Sequence, residues 1–291
     1  MIATRILALT AMAVLSAAAL AQSARAPAPE GRLKRIADTK TIAIAYRADA
    51  VPFSFVNDKK LPDGFAIDLC KRIANSIERQ LGIPGLKIDW VPVSVQTRFE
   101  TVAKGRADIE CGSSTMTLAR MKEVDFSSVT FVETTGLLVK TASGVRSISD
   151  LAGKTVAVVA GTTNERAVHA QLKRRQLDAT VLPFKSRDEA FAALEEGKAD
   201  AFASDKLLLV GAASKAKDAG AFTLLADQLS FEPYGIVLPR NDSALRLAVN
   251  TGLAQVYGGR EIVEIFRRWF GGLGRPSTLL EAAYELGAIP E

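Results

Sequence analysis

Short apolar runs rich in β-branched residues alternate along the chain with segments whose apolar residues recur at helical spacing. The predicted strands are residues 41–46, 87–93, 155–160 and 179–183. The predicted helices are residues 65–77, one from Arg98, one from about Asn164, residues 187–196, and two C-terminal segments, residues 245–256 and 262–269, the last ended by Gly271-Gly272. Strands that alternate with helices predict an α/β protein. The spacing does not indicate where the C-terminal helices pack.

One helix-start motif occurs twice. Thr97-Arg98-Phe99-Glu100 and Ser186-Arg187-Asp188-Glu189 both read as capping boxes, and each predicted helix ends at a glycine, Gly105 or Gly197. A third box, residues 162–165, follows the strand at residues 155–160.

The two arginines of this repeat stand at the first helical position, where the helix dipole disfavours a cation by about 0.3–1 kcal/mol. A bound anion would offset this effect, because guanidinium groups and free helix-start amides together bind carboxylate or phosphate. Each motif alone is more typical of a capped surface helix. Three motifs, two of them with Arg98 or Arg187, favour an anion site between two α/β units.

Composition restricts the class of protein and the kinds of site that are possible. The chain has 291 residues, about twice a usual domain, and its 48% hydrophobic and 24% charged residues are typical of a globular protein. One histidine and two cysteines exclude a His-rich or four-cysteine metal site, and the sequence predicts neither a metal nor a cofactor. Cys70 and Cys111 are suited to a single disulfide, although their separation alone does not establish one.

The N-terminus predicts export. Arg5 precedes the uncharged residues 6–20, and residues 19–21 form a small-x-small cleavage site, so residues 1–21 read as a signal peptide rather than a membrane anchor. This segment holds one basic and no acidic residue, so its removal leaves 36 basic against 32 acidic residues, a net charge of +4. The basic residues are scattered, which argues against nucleic acid as a partner.

Four motifs resemble those of a known family: Pro52-Phe53-Ser54-Phe55, Gly64-Phe65-Ala66-Ile67-Asp68-Leu69, Glu110-Cys111-Gly112-Ser113-Ser114-Thr115 through Arg120, and Ala160-Gly161-Thr162-Thr163. The chain, from about Leu33 to Phe270, is similar to the periplasmic solute-binding proteins of polar amino-acid ABC importers, and most to the glutamate/aspartate-binding branch. The resemblance implies the two-lobed type II periplasmic binding protein fold, in which two hinge strands join the lobes and the ligand lies in the cleft between them.

The same resemblance implies the organisation of the chain. Lobe 1 would consist of residues 32–134 and 235–291, and lobe 2 of residues 135–234, with the crossings near residues 133–136 and 232–235.

The resemblance also implies roles for site residues. Arg120, with Thr115 and Thr162, would hold an α-carboxylate, Ser113 and Asp205 would receive an α-ammonium, and Arg47 and Arg98 would engage an acidic side chain. These assignments suit the chemistry, because a guanidinium matches a carboxylate and an ammonium needs acceptors.

Three positions depart from the branch. Ala160 and Val95 each stand where a serine is more usual, and Arg187 stands where a histidine is frequent. A small backbone shift would allow the neighbouring Ser94 to substitute for the hydroxyl that Val95 lacks. Arg187 adds a permanent charge to the pocket, and no matching acid is evident from the sequence.

The expected function is therefore that of a monomeric periplasmic receptor, which captures glutamate or aspartate by lobe closure and delivers it to a membrane permease. We expect no catalytic residue, because the one histidine, His169, has no paired nucleophile and suits a helix surface. A periplasmic dehydratase (cyclohexadienyl or arogenate type) on this fold is the competing interpretation, and it would need a site acid beyond Asp205. A receptor for another polar amino acid or a diacid is also open, whereas a membrane sensor would need a second transmembrane segment.

Overall fold

The computed structural model describes residues 29–290, so the predicted signal peptide lies outside the described residues. The helices are α1 Gly31–Thr39, α2 Phe65–Leu81, α3 Arg98–Ala103, α4 Thr163–Arg175, α5 Arg187–Glu195, α6 Lys206–Ala213, α7 Ser243–Gly258, α8 Glu261–Phe270 and α9 Thr278–Gly287. The strands are β1 Thr41–Arg47, β2 Asp49–Ala50, β3 Ser54–Val56, β4 Pro62–Asp63, β5 Lys87–Val93, β6 Ile109–Cys111, β7 Val124–Lys140, β8 Thr155–Val159, β9 Thr180–Phe184, β10 Ala201–Asp205, β11 Phe222–Leu224 and β12 Phe231–Pro239. Within residues 29–290, no helix combines the length and the apolarity that a membrane crossing requires.

The main sheet runs in the order β5-β1-β6-β12-β7-β10-β8-β9, and β11 pairs with β7 beside it. The long strand β7 pairs with β12 as far as Thr134 and with β10 from Thr135 onwards. The sheet therefore has two halves that share β7, and each half carries its own helices. The first lobe contains β1–β6 with α1–α3 and α7–α9, and the second contains β8–β11 with α4–α6. The predicted boundaries at residues 134/135 and 234/235 stay a prediction.

Each lobe has its own core. In the first, Phe53, Phe65, Phe131, Tyr234 and Phe270 form a cluster of edge-to-face and tilted rings, and buried residues of α7, α8 and α9 pack around it. The C-terminal helices thus belong to the first lobe. In the second lobe, apolar residues cover both faces of the sheet formed by β7, β10 and β8. Strands buried on both faces explain the continuous apolar run at residues 155–160.

Two of the three predicted helix caps are confirmed, and the third is wrong. Thr162 and Ser186 accept the amide hydrogens of Glu165 and Glu189 at 3.1 and 3.2 Å, as capping residues should. The capping box at Thr97 is wrong, because its backbone is already helical (φ −101°, ψ −15°) and its hydroxyl instead accepts the Ser94 amide at 3.0 Å.

The other local predictions concern the glycines and the cysteines. Gly105 and Gly197 adopt the expected left-handed conformation, with φ of +78° and +73°. A disulfide joins Cys70 of α2 to Cys111 at the end of β6.

Candidate functional site

The sequence-predicted residues come from both lobes and meet at the junction between them. Arg47 and Asp205 are the last residues of β1 and β10, and Arg98 and Arg187 are the first residues of α3 and α5. Thr162 is the N-terminal cap of α4. Strand ends and helix starts converge at this edge of an open α/β sheet, which is where such folds bind ligands.

An arginine pair from opposite lobes lies at one end of the site. The Asp49 carboxylate accepts a hydrogen bond from Arg47 Nη2 at 2.5 Å, and its other oxygen lies 3.7 Å from Arg187 Nη1. Burial and the charge of Arg187 lower the pKa of Arg47 to about 10. Burial opposes ionisation of Asp49, yet Arg187 and Arg47 outweigh it and hold its pKa below the ordinary value.

Arg98 is buried at the start of α3 in the first lobe. Its Nε donates to Ser114 Oγ at 3.0 Å, and Ser114 in turn donates to Glu110 at 2.8 Å, while the Arg98 Nη1 group donates to the Val95 carbonyl. Burial first, and then repulsion by Arg120, lower the pKa of Arg98, and burial raises the pKa of Glu110. Repulsion by the charges of Arg47 and Arg187 lowers the pKa of Arg98 further.

Arg120 lies beside Thr115. Its Nη1 donates to the Thr115 carbonyl at 2.6 Å, and its guanidinium lies 4.9 Å from the centre of the Phe99 ring. Burial and then the charge of Arg166 lower the pKa of Arg120 to about 10. The Thr115 hydroxyl donates to Glu232 at 2.7 Å and lies 3.3 Å from the hydroxyl of Thr163, across the lobe junction.

Asp205 belongs to a group of buried acids at the base of the cleft. Its carboxylate accepts a hydrogen bond from Asn164 Nδ2 at 2.9 Å, and burial together with the charge of Glu232 raises its pKa to about 6. Glu133 accepts the amide hydrogens of Thr134 and Leu207, both at 3.0 Å. Burial and then the Asp205 charge raise the pKa of Glu133 to about 8.

Three further residues had been singled out from the sequence. Ser113 is half-buried in the loop after β6, between Gly112 and Ser114. The Thr162 hydroxyl already donates to the Val159 carbonyl at 2.7 Å as well as capping α4. His169 is exposed on α4, as its position in the sequence suggested.

The structure corrects two expectations about acidic residues. The arginines do have matching acids, because Asp49 contacts Arg47 and Arg187, and Glu110 is joined to Arg98 through Ser114. Acids beyond Asp205 are also present at the site. The charge of Glu232 raises the pKa of Asp205, and the charge of Asp205 raises the pKa of Glu133.

The expectation for Ser94 is wrong as well. Ser94 is exposed, and its hydroxyl lies 3.2 Å from that of Thr97, so it does not replace the hydroxyl that Val95 lacks.

Several of the missed residues carried a weak sequence signal. Glu110 lies within the run of residues 109–111, where a charge inside a buried strand is unusual and needs a partner. Glu232 is likewise the second residue of a strand that is otherwise mostly apolar. Asp49 carried no comparable signal, because its significance depends on Arg187, which is distant in sequence.

The site also holds buried hydrogen-bond donors that have no acceptor. Arg47 Nε and both Nε and Nη1 of Arg187 are buried and have no hydrogen-bond partner among residues 29–290. A buried donor without a partner costs about 1–3 kcal/mol, and more when it is charged. Unpaired guanidinium donors between two lobes are therefore suited to an anionic ligand.

Comparison with known proteins agrees with this picture. Residues 42–272 match the family described as bacterial extracellular solute-binding proteins, family 3. An L-glutamate/L-aspartate-binding protein of Pseudomonas aeruginosa is 35% identical over 241 residues, which cover 82% of this chain and 80% of the relative. A glutamate/aspartate import solute-binding protein of Salmonella typhimurium is 32% identical, with coverage of 87% and 84%. Among solved structures, an ancestral amino acid-binding protein described as a precursor of cyclohexadienyl dehydratase superposes with a TM-score of 0.72 and 29% identity, covering 82% of this chain and all (100%) of that one.

Proposed function

The chain belongs to the bacterial extracellular solute-binding proteins of family 3, and we propose that it is the periplasmic binding component of an ABC importer for acidic amino acids. In this proposal the protein is a monomer that captures glutamate or aspartate by closure of its lobes and presents the closed form to the membrane permease. The names of the Pseudomonas aeruginosa and Salmonella typhimurium relatives support the ligand class.

One observation carries the proposal beyond the likeness to relatives. The unpaired guanidinium donors of Arg47 and Arg187 are buried between the lobes, where an anionic side chain would satisfy them. Because one donor set belongs to each lobe, a ligand that pairs with both favours the closed form. A neutral side chain would leave at least one charged donor without an acceptor.

We assign the remaining residues to different groups of the ligand. We assign Arg120 to the α-carboxylate, with the α4 N-terminus at Thr162 adding its free amides. Asp205, with Ser113, would accept the α-ammonium, and Arg98 would join Arg47 and Arg187 at the acidic side chain. The Thr115 hydroxyl already donates to Glu232, so we assign Thr115 a positioning role through its carbonyl, which holds Arg120.

The dehydratase is the second candidate, favoured by the buried carboxyl groups and by the solved structure named above. A catalytic acid, however, must direct its proton at the substrate. Glu133 accepts two backbone amides, and Glu232 accepts the hydroxyls of Thr115, Thr135 and Ser230. These carboxyl groups are therefore engaged by the protein itself, which supports binding without chemistry.

Calorimetric titration of the purified protein with glutamate, aspartate, glutamine, arginine and glutarate tests the proposal. We expect glutamate or aspartate to bind at least about tenfold more tightly than glutamine, a difference of about 1.4 kcal/mol. Equal affinity for glutamine would contradict the acidic-ligand assignment. Turnover of prephenate or arogenate, measured on the same sample, would favour the dehydratase instead.

A further inference from the structure

Asp49 lies between two arginines of opposite lobes. It follows β1 in the first lobe, contacts Arg47 of that lobe at 2.5 Å, and reaches Arg187 at the start of α5 in the second lobe at 3.7 Å. The side chains of Arg47 and Arg187 are 4% and 6% exposed, and that of Asp49 is 15% exposed. Helix α5 packs against β2 at this point. One carboxylate therefore bridges two buried guanidinium groups across the junction.

The bridge fixes the charge of this end of the cleft. Two guanidinium groups and one carboxylate sum to one positive charge, since arginine stays protonated in proteins. The neighbouring Arg98 is held by Ser114, which links it to Glu110, so this sum concerns only the group formed by Arg47, Asp49 and Arg187. Asp49 accepts no hydrogen bond from Arg47 Nε or from Nε and Nη1 of Arg187, although Arg187 Nη1 lies at ion-pair distance from it, so these donors remain for a further acceptor group.

We propose that Asp49 is a specificity-determining residue, which limits this end of the cleft to one net positive charge and so selects a ligand side chain with a single negative charge. The inference rests on the proposed binding of acidic amino acids and adds a rule for the charge of their side chains. A carboxylate fits this rule, whereas a phosphate dianion does not. Asp49 also positions both arginines, so its removal alters charge and order together.

Comparison of two ligands separates these effects. Glutamate and O-phospho-L-serine share the α-amino acid group and differ in the charge of the distal group. The phosphate monoester has a second pKa of about 6, so at pH 8 it is a dianion. The affinity ratio of phosphoserine to glutamate therefore reports the charge of the distal end, while any general loss of order lowers both affinities.

The experiment is a titration of the wild-type protein, Asp49→Asn and the control Asp188→Asn with both ligands at pH 8. Asp188 is exposed next to Arg187 in sequence, and its carboxylate lies 3.4 Å from Lys215 Nζ rather than at the cluster. We expect Asp49→Asn to raise the ratio by at least about tenfold, or about 1.4 kcal/mol, and Asp188→Asn to leave it unchanged. At pH 5, where the phosphate is a monoanion, the ratio should return towards the wild-type value.

An unchanged ratio in Asp49→Asn that still binds glutamate would overturn the inference, and so would an equal rise in the Asp188→Asn control. If Asp49→Asn does not fold by circular dichroism, Asp49→Ser takes its place, and failure of both to fold would assign Asp49 a purely structural role, which also overturns it. Wild-type protein that binds neither glutamate nor aspartate contradicts the proposed function instead. That outcome is seen before any variant is compared, so the two failures are distinct.

Discussion

Binding of an amino acid should depend on the ionisation of Asp205. An α-ammonium needs the carboxylate form, and burial together with Glu232 raises the pKa of Asp205 to about 6. About nine-tenths of the Asp205 groups are ionised at pH 7 and about one-tenth at pH 5, so the affinity for glutamate should fall about tenfold over this interval, by about 1.4 kcal/mol. The ligand contributes little, because the side chain of glutamate titrates near pH 4.3, roughly the model-peptide value, and is still mostly ionised at pH 5.

The assay is calorimetry at half-unit steps from pH 5 to pH 7, with glutarate as the ligand that lacks the ammonium. Glu133, whose pKa is raised to about 8, stays mostly protonated throughout this window. Glutarate should lose less affinity towards pH 5 than glutamate does, because only the partial protonation of its own carboxyl groups acts on its binding. Asp205→Asn should abolish the slope for glutamate and weaken its binding at pH 7 by about 3 kcal/mol or more, because the ammonium loses its charged partner. Parallel profiles for the two ligands, or a slope that persists in Asp205→Asn, would refute the assigned contact.

Three further outcomes are expected. Arg120→Ala should weaken every α-amino acid by about 3–5 kcal/mol in titration, and a loss below about tenfold would reject its contact with the α-carboxylate. Gly211→Ala should keep the lobes apart, because an added Cβ would lie 2.2 Å from the Val51 carbonyl oxygen of the other lobe. Small-angle scattering should show that glutamate contracts this variant less than it contracts the wild-type protein, and full contraction would contradict this expectation. Replacing Cys70 and Cys111 together by serine should lower the melting temperature, since the bridge closes a loop of 41 residues worth about 4 kcal/mol, and an unchanged transition would show that this loop adds nothing.

The regular elements were accessible from the sequence because periodicity is a local property. Strand β5 agrees with its predicted bounds, and α5 differs from them by one residue at its end. The motif around Arg98 and Arg187 also placed both arginines correctly at the first residue of a helix. What periodicity cannot supply is the packing of the C-terminal helices, whose apolar faces would fit either lobe.

The acids of the site were missed for a different reason. An ion pair such as Asp49 with Arg187 depends on the fold that brings the two residues together, and a short polar residue after a strand is common in any sequence. The wrong prediction of a capping box at Thr97 has a similar cause, because a sequence motif does not fix the backbone conformation of the turn before it. Its sequence fits the motif, but the preceding turn already places Thr97 in a helical conformation, so the hydroxyl is used elsewhere.

Strand β7 connects the two halves of the sheet. Asp205 pairs in register with Thr135, the residue at which β7 changes its partner from β12 to β10. In the proposed closure, a ligand contact at Asp205 would therefore act close to the axis about which one half of the sheet rotates. The same rotation would move the outer loops of the lobes through a distance that grows with their separation from β7. Occupancy of a small, buried site would in this way produce its largest displacement at the rim, where the proposed permease could detect it without touching the ligand.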